Sequence, residues 1–217
     1  MNFLKSTKII LLFAVTIVMS CSKDDDAPTV STPDVNYSFT TFFSTFFQEG
    51  NTGVPTVNWN GNQGTFSLAT SLDGLSINSA NGVVSWTNQL PTGEHSIIVL
   101  ASNSAGQKAN SFIIENKIQG AFTGTYDLGY FKVEFNTDGT ALVTADDATS
   151  APQFSGTWYI INNEVIVNFT FNTDATVQYS LKGNLVQSNA ATYSGTIYSL
   201  HDAIAGNELY AFNVELN

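Results

Sequence analysis

The chain has 217 residues, a net charge of −11 at pH 7, and no arginine among its seven basic residues. A protein this acidic repels nucleic-acid phosphates and anionic lipid headgroups. The absence of Arg also removes the usual bidentate clamp for phosphate and carboxylate ligands. Strand and turn residues are abundant, and no stretch after residue 50 keeps an apolar helical period for three turns. We therefore predict an all-β protein of two domains that does not bind nucleic acid.

The first 20 residues have the pattern of a secretory signal. Lys5 and Lys8 precede an apolar run that ends at Met19, which is too short for a membrane span of about 20 residues. Val18-Met19-Ser20-Cys21 resembles the lipobox of bacterial lipoproteins. The resemblance implies cleavage before Cys21 and acylation of that residue, and two or three acyl chains would anchor the protein stably. Cys21 is the only cysteine, so no internal disulfide can form, and the alternative is an ordinary signal peptide beside a free thiol.

Residues 21–35 are predicted to form a disordered tether, because they are polar, acidic and contain two prolines. The segment Ser22-Lys23-Asp24-Asp25-Asp26 resembles a signal that directs lipoproteins of some Gram-negative bacteria to the cell surface. The alternative is a solvated linker. The resemblance implies a lipid-anchored, surface-exposed protein of the outer membrane. Cleavage at residue 20 would leave five lysines and all 18 acids, a net charge of −13.

Residues 37–47 are rich in Phe and Thr, and their Phe spacing fits either a helix or a strand. Thr, Ser and Phe favour a strand in an all-β chain. A strand would place Phe42 and Phe46 on one face, and Phe43 and Phe47 on the other. The second face would then be covered by a neighbouring sheet or would form an apolar contact patch.

The pattern over residues 54–116 indicates short alternating strands between Asn-Gly and Ser-Gly type turns. Its elements are Gly74-Leu75-Ser76-Ile77, Asn81-Gly82-Val83, the Pro91 loop before Gly93, and Ala101 to Gly106. This pattern resembles the immunoglobulin-like and cadherin-like modules of bacterial surface proteins. The resemblance implies a β-sandwich, which we assign to residues 36–117.

Four residues of this region have specific expectations. His95 stands where the family has a tyrosine that folds back onto the preceding loop, so a corner or surface role is expected. Trp86 is expected in the core, and Trp59, between polar turn residues, is expected to be the most exposed of the three Trp side chains. Asn103 stands at the family's possible Asp position, so no metal site and no cofactor are predicted.

Residues 118–217 are predicted to form an antiparallel barrel or half-barrel of about eight strands. Three segments echo one another, namely Phe122-Thr-Gly-Thr-Tyr126, Phe154-Ser-Gly-Thr-Trp158 and Tyr193-Ser-Gly-Thr-Ile197. Between turns, apolar and polar residues alternate as in half-buried strands. Gly156-Thr157-Trp158 resembles the lipocalin-like domains of bacterial lipoproteins, which implies a barrel that holds a small apolar ligand. The Trp stands in the middle of the domain, whereas the lipocalin motif lies in the first strand.

The sequence predicts no enzyme. The two histidines lie in different domains, and Ser199, His201 and Asp202 are chain neighbours, whereas a catalytic triad is built from separated segments. Glu134 and Glu164 are the remaining candidate pair, for glycoside hydrolysis, and are expected to be solvated surface residues.

We therefore expect a non-catalytic surface module that binds a glycan or a partner surface protein, with Trp59, Tyr130 and Tyr198 as candidate contact residues. One alternative is a lipocalin-like carrier of a small apolar molecule, and another is an accessory structural subunit of a surface complex. The carrier requires a cavity, so it fails if aromatic side chains fill the centre of the barrel. The five aromatic residues in question are Phe135, Phe169, Phe171, Tyr179 and Phe212.

The segment 117–120 separates the two patterns and no motif crosses it. Each side has its own alternating apolar set, so each domain should have its own core. We therefore predict that residues 27–117 and 119–217 fold separately.

Overall fold

The computed structural model describes residues 29–69, 71–146, 153–171 and 174–217. The predicted signal peptide, Cys21 and the acidic start of the tether lie outside the described residues. Within the described ranges, no helix has the length and apolar character that a membrane crossing requires. The all-β fold class is confirmed, with a β-sandwich followed by a closed barrel of eight antiparallel strands.

The sandwich consists of nine strands in the described part of the chain. Its strands are β1 (Asp34–Asn36), β2 (Thr41–Thr45), β3 (Gly50–Asn51), β4 (Thr56–Asn58), β5 (Thr65–Leu68), β6 (Leu75–Ile77), β7 (Val84–Trp86), β8 (Gly93–Asn103) and β9 (Gly106–Lys117). One sheet has the order β2-β9-β8-β5, a second has the order β3-β7-β6, and β1 pairs with β4. The edge strand β2 runs parallel to β9, and all the other pairs are antiparallel.

The sandwich core follows from the alternation along β8 and β9, whose buried residues include Ile97, Val99 and Ile114. Trp86 is buried as predicted, and its indole N–H donates a 2.8 Å hydrogen bond to Ser44 Oγ. This bond satisfies the one polar atom of a large side chain that is otherwise in apolar surroundings.

The Phe-rich segment forms a strand, as expected, but the strand ends at Thr45. Phe42 is buried in the sandwich and Phe43 is 71 % exposed, so the two faces of β2 differ as a strand requires. Phe47 then takes a positive φ of 64°, which turns the chain away from the sheet. Phe46 N–H donates to Lys117 O at 2.8 Å, so Phe46 continues the alternation of β2, but its side chain packs in the core of the barrel and not in that of the sandwich.

The sandwich also begins earlier than predicted. Ser31 N–H donates to Asn60 O at 3.1 Å, and Asn103 Nδ2 donates to Ser31 O at 2.7 Å. Val35, in β1, is buried. The composition of residues 31–35 predicts a tether, but one buried apolar side chain and the side-chain amides of Asn60 and Asn103 hold them against the sandwich.

The second domain is a closed barrel of eight antiparallel strands. These strands are β10 (Gly120–Tyr126), β11 (Gly129–Phe135), β12 (Thr140–Asp146), β13 (Gln153–Ile161), β14 (Glu164–Phe171), β15 (Asp174–Gln187), β16 (Ala191–Tyr198) and β17 (Glu208–Leu216). Each strand pairs with its neighbour in the chain, and β17 pairs with β10 to close the barrel. A short 3-10 turn, His201–Ala203, lies between β16 and β17.

The three echoed segments place a glycine on the inward side of three barrel strands. In each segment the first aromatic residue is buried in the core, and the glycine follows two positions later on the same face. A Cβ at Gly124 would overlap the carbonyl oxygen of Asn213, and a Cβ at Gly156 would overlap that of Asn168. The repeat therefore supplies the close backbone approach that lets neighbouring strands curve into a closed barrel.

Candidate ligand-binding site

The two ends of the barrel have different surroundings. The linker 118–119 and the connections 136–139, 162–163 and 188–190 lie at the end that faces the sandwich. The connections 127–128 and 199–207 lie at the opposite end, and residues 147–152 and 172–173 are outside the described residues. A candidate site at the opposite end is therefore built from the strands themselves and from the two described connections.

The end that faces the sandwich is filled by aromatic side chains. Phe46 enters from the sandwich, is 1 % exposed, and stacks on Phe122 with ring centroids 6.2 Å apart. Phe122 meets Phe135 edge-on at 5.4 Å, and Phe135 meets Tyr193 at 5.6 Å. Ile118, from the linker, is also fully buried here. This half of the barrel is a packed core with a floor supplied by residues before β10.

Tyr193 is also part of this packed core. Its ring lies 4.8 Å from that of Phe212, and its hydroxyl donates to Val165 O at 3.1 Å. Burial raises the pKa of the Tyr193 phenol well above its ordinary value, so the group stays neutral.

The opposite end encloses a cavity of about 270 Å³. Its walls are apolar and aromatic, and the lining consists of Tyr126, Leu128, Phe131, Val143, Ala145, Phe154, Phe169, Tyr179, Ile197, Leu209 and Tyr210. Phe135 packs in the filled half, Phe212 lies between Tyr193 and the lining residue Phe131, and Phe169 and Tyr179 line the cavity. In the described part of the chain, the barrel is therefore packed at one end and has a cavity at the other.

No described side chain that lines the cavity carries a charge at neutral pH. The polar groups of the lining side chains are the hydroxyls of Tyr126, Tyr179 and Tyr210. The rings of Tyr126 and Tyr210 meet edge-on at 5.9 Å, and Tyr126 also contacts Phe131 at 5.4 Å. A bound molecule would therefore meet ring faces and edges, with hydroxyl groups as the side-chain hydrogen-bonding partners.

Acidic side chains flank the mouth of this cavity. Asp127 is exposed in the turn between the lining residues Tyr126 and Leu128. Glu208 precedes the lining residue Leu209, and its carboxylate accepts hydrogen bonds from Gly206 N–H at 2.9 and 3.1 Å. Hydrogen bonds from its own backbone amide and from that of Gly206 hold the pKa of Glu208 below its ordinary value. The rim is therefore negatively charged at neutral pH.

The segment 199–207 connects the rim to the outer wall of the barrel. Ser180 is fully buried on β15; its hydroxyl donates to Leu200 O at 2.6 Å and accepts from Ala203 N–H at 2.9 Å. His201 Nε2 lies 3.1 Å from Phe169 O, to which it donates. These bonds fix the segment that leads into Leu209 and Tyr210 of the cavity.

Asp202 makes a second attachment on the same wall. Its carboxylate accepts hydrogen bonds from Asn168 Nδ2 at 2.7 Å and from Tyr159 OH at 2.9 Å. These bonds lower the pKa of the Asp202 carboxyl. Ser199 Oγ donates to Asn207 O at 3.5 Å. The hydrogen bonds of Ser199, His201 and Asp202 thus run to different partners, and their arrangement serves to hold the segment.

The second catalytic candidate pair lies in separate ion pairs on the barrel. Glu134 is 2.9 Å from Lys132 Nζ, and Glu164 is 3.0 Å from Lys182 Nζ. All four side chains are partly exposed. This is the arrangement of solvated surface carboxylates that the sequence predicted for both residues.

Trp59 is more exposed than Trp86, and that it is the most exposed of the three Trp side chains stays a prediction. Its ring lies 5.1 Å from that of Phe66, and the side chain packs against the sandwich core, so it is half-buried like Trp158. Asn103 Nδ2 donates to its carbonyl at 2.8 Å. The sequence near Trp59 shows neither partner, because both come from distant strands.

The other two predicted contact residues lie on the barrel wall. Tyr130 pairs with Thr125 and Asp146 in β11, and Tyr198 pairs with Ser180 and Glu208 at the end of β16. Both are half-buried. The structure therefore does not bring Trp59, Tyr130 and Tyr198 together into one surface.

Sequence reasoning missed most of the cavity lining, including Tyr126, Phe154, Leu209 and Tyr210 as ligand contacts. One available signal was the end of each echoed segment. Tyr126 and Ile197 occupy the fifth position of their segments and both line the cavity. The fifth position of the remaining segment is Trp158, which packs on Phe135 in the filled half.

The expected corner role of His95 is confirmed, because its Nε2 donates to Pro91 O in the preceding loop at 2.7 Å. Among the described residues, no group of three or more His, Cys, Asp or Glu side chains could hold a metal ion.

No protein-family model and no curated protein matches this chain. Solved structures that resemble it include the human protocadherin-24 EC1-2 crystal structure, with 8 % sequence identity and a TM-score of 0.41, over 87 % of this chain and 96 % of that one. Another is an endo-fucoidan hydrolase of glycoside hydrolase family 107, with 14 % identity and a TM-score of 0.36, over 85 % of this chain and 28 % of that one. The site described above rests on the strand topology and side chains of this chain alone.

Proposed function

We propose that this chain is a non-catalytic, lipid-anchored protein of the outer membrane, exposed at the cell surface, whose barrel binds a small apolar molecule. The observation that carries the proposal is the apolar cavity at the open end of a barrel whose other end is packed. Cys21 supplies the membrane attachment, and the acidic segment after it supplies the surface address.

The volume of the cavity limits the size of the ligand. An apolar cavity of about 150 Å³ in another protein stays dry and binds benzene, and sites for drug-sized ligands occupy about 300–1,000 Å³. The cavity here, at about 270 Å³, falls between these cases. A fused-ring compound or a short branched hydrocarbon fits this range, whereas an extended lipid does not.

Binding would remove apolar surface from water at the mouth as well as inside. Leu128 is 62 % exposed and Leu209 is 42 % exposed, and both line the cavity. Burial of apolar area contributes about 25 cal/mol per Å², so a ligand that covers these two leucines gains from contacts at the rim. The barrel holds the surrounding rings in place before the ligand arrives, which lowers the entropic cost of binding.

Native mass spectrometry of protein from its own host tests the proposal. We expect a small molecule to stay bound to the parent and to be lost from Ala145→Phe, which fills the cavity from its wall. Thr125→Phe is the matched control, because Thr125 is exposed on the outer wall beside Tyr126. A bound molecule that persists in Ala145→Phe, or none in the parent, would contradict the proposal.

A second candidate is binding to a glycan or another surface protein through β2. Phe39 is 65 % exposed and Phe43 is 71 % exposed near the edge of the first sheet, an unusual exposure for two large aromatic residues. Fragment 27–217 should then be retained on an affinity gel or a glycan array, and Phe39→Ser with Phe43→Ser should abolish retention. Equal retention of parent and variant would exclude this surface, and an accessory structural role would remain.

A further inference from the structure

The charges around the cavity define the class of ligand that the proposed binding function would accept. We infer that the cavity takes uncharged or cationic ring-bearing molecules and excludes anionic ones, including fatty acids. This inference rests on the proposed function, and it follows from the lining, the two barrel lysines and the rim.

The lining offers an anionic group no partner. None of the described lining side chains is cationic. A carboxylate or sulfonate inside would lose its water and gain only tyrosine hydroxyls, and a buried charge without a partner is strongly disfavoured. A cation would instead meet the aromatic side chains of Tyr126, Phe131 and Tyr210, and the face of an aromatic ring attracts positive charge.

Outside the cavity, the barrel has no lysine that is free to bind an anionic ligand. Its lysines, Lys132 and Lys182, each form an ion pair with a glutamate, and neither lines the cavity. Residues 118–217 contain ten acidic residues and two lysines, a net charge of −8. The field at the barrel surface therefore opposes the approach of an anion before it reaches the cavity.

The rim strengthens this preference locally. Asp127 and Glu208 lie beside lining residues, at the mouth ends of the neighbouring strands β10 and β17, and both are exposed. The effect of exposed rim charges is screened by salt, whereas the missing partner inside the cavity is not. The two contributions can therefore be separated by ionic strength.

Two fluorescent probes with the same ring framework test the inference on the mature chain from residue 22. N-phenyl-1-naphthylamine is neutral, and 8-anilinonaphthalene-1-sulfonate differs by one sulfonate. We expect the neutral probe to bind at least about tenfold more tightly, and most of that difference to persist in about 0.5 M salt. Ala145→Phe should reduce the signal of the neutral probe, and Thr125→Phe should not, which assigns the signal to the cavity.

A rim substitution then tests the role of charge. Leu128→Lys places a cation at the mouth, and Leu128→Gln changes the same exposed position without charge. The lysine variant should bind the sulfonate more tightly than the parent does, and the glutamine variant should not. Sulfonate binding within threefold of the neutral probe in the parent would overturn the inference while leaving the cavity as a binding site. Failure of both probes to bind would overturn the proposed function together with it.

Discussion

The ring of Phe46, from the sandwich, stacks on the ring of Phe122 in the barrel, with centroids 6.2 Å apart and planes 28° from parallel. Phe46 follows β2 of the sandwich but is buried in the barrel core, so the two domains share an apolar contact. Gln187 of the barrel adds a polar contact between the domains, because its Nε2 donates to Asn88 O and Leu90 O of the sandwich, each at 2.9 Å. The barrel floor is thus completed by residues that precede the barrel in the chain.

Replacement of Phe46 by Ala should lower the free energy of unfolding of the barrel by about 3 kcal/mol, because Phe-to-Ala changes in cores cost about 3–5 kcal/mol and the site lies at the edge of the barrel. Denaturant unfolding, followed by near-UV circular dichroism, measures the change. Phe43→Ala is the control, since it removes the same side chain from an exposed position of the preceding strand and should change stability by less than about 0.5 kcal/mol. Equal effects of the two substitutions would show that Phe46 does not stabilise the barrel.

The separate folding of residues 27–117 and 119–217 stays a prediction, now with an expected asymmetry. Fragment 119–217 lacks both Phe46 and Ile118, two fully buried members of its core cluster. We expect fragment 27–117 to unfold cooperatively, and fragment 119–217 to fold with a lower midpoint than the barrel of the intact chain. Circular dichroism during denaturant titration compares them. An unfolded 119–217 fragment would mean that the barrel depends on the sandwich.

Gly156→Ala should destabilise the barrel by about 1–3 kcal/mol, because the added Cβ overlaps the carbonyl oxygen of Asn168 on the next strand. Thermal unfolding reports the loss. Thr157→Ser, at the exposed neighbouring position, should have little effect and serves as the control. If the two variants melt together, the glycine is not needed for closure.

Tyr37 should make stability sensitive to alkaline pH. Burial raises the pKa of its phenol to about 12, and its hydroxyl donates to Gly82 O at 2.6 Å. Because the folded pKa lies above the unfolded value of about 10, this contribution is complete below pH 10 and is lost as the pH rises towards 12. Urea unfolding at pH 9, 10 and 11 should show a steeper loss for the parent than for Tyr37→Phe. Parallel pH curves would remove Tyr37 as the cause.

Cys21→Ala should leave the protein without its lipid, so that it is either shed or retained as a precursor. Membrane fractionation with metabolic acyl labelling measures this outcome, and an unchanged membrane fraction would contradict the lipoprotein assignment.

Replacement of Lys23, Asp24, Asp25 and Asp26 by Ala should keep the lipid but trap the protein facing the periplasm. Protease shaving of whole cells distinguishes the two locations, and equal cleavage of parent and variant would refute the surface address.

The fold was predictable where the local pattern alone decides which side is buried. The alternation of Phe131, Val133 and Phe135 predicts a buried strand face, and all three residues are buried. The corner at His95 and the burial of Trp86 followed from their positions in a known pattern of strands and turns.

The cavity, and the packing of Phe46 against the barrel core, depend on where each inward-facing side chain lies along the barrel axis. The alternation of apolar and polar residues predicts which side chains face inwards, but not their position along that axis. Phe135 and Phe169 are both inward-facing, yet one is packed near the sandwich and the other lines the open end. Phe46 stays paired with the end of β9 and packs in the barrel, and Phe47 then takes a positive φ, which the sequence of four Phe and two Thr or Ser residues does not suggest. Long-range closure of the barrel, and not local propensity, decides both features.

The position of Ser31, where the chain enters the sandwich, bears on how a ligand reaches the cavity. Ser31 is held by Asn103, beside the turn where β9 begins at Gly106, whereas the barrel follows the other end of β9, after Lys117. Those twelve residues of strand span about 40 Å. If the protein is anchored through Cys21, the chain enters the sandwich at the end of β9 opposite the barrel. On the proposed surface location, we therefore expect an occupant of the cavity to come from the medium and not from the protein's own membrane.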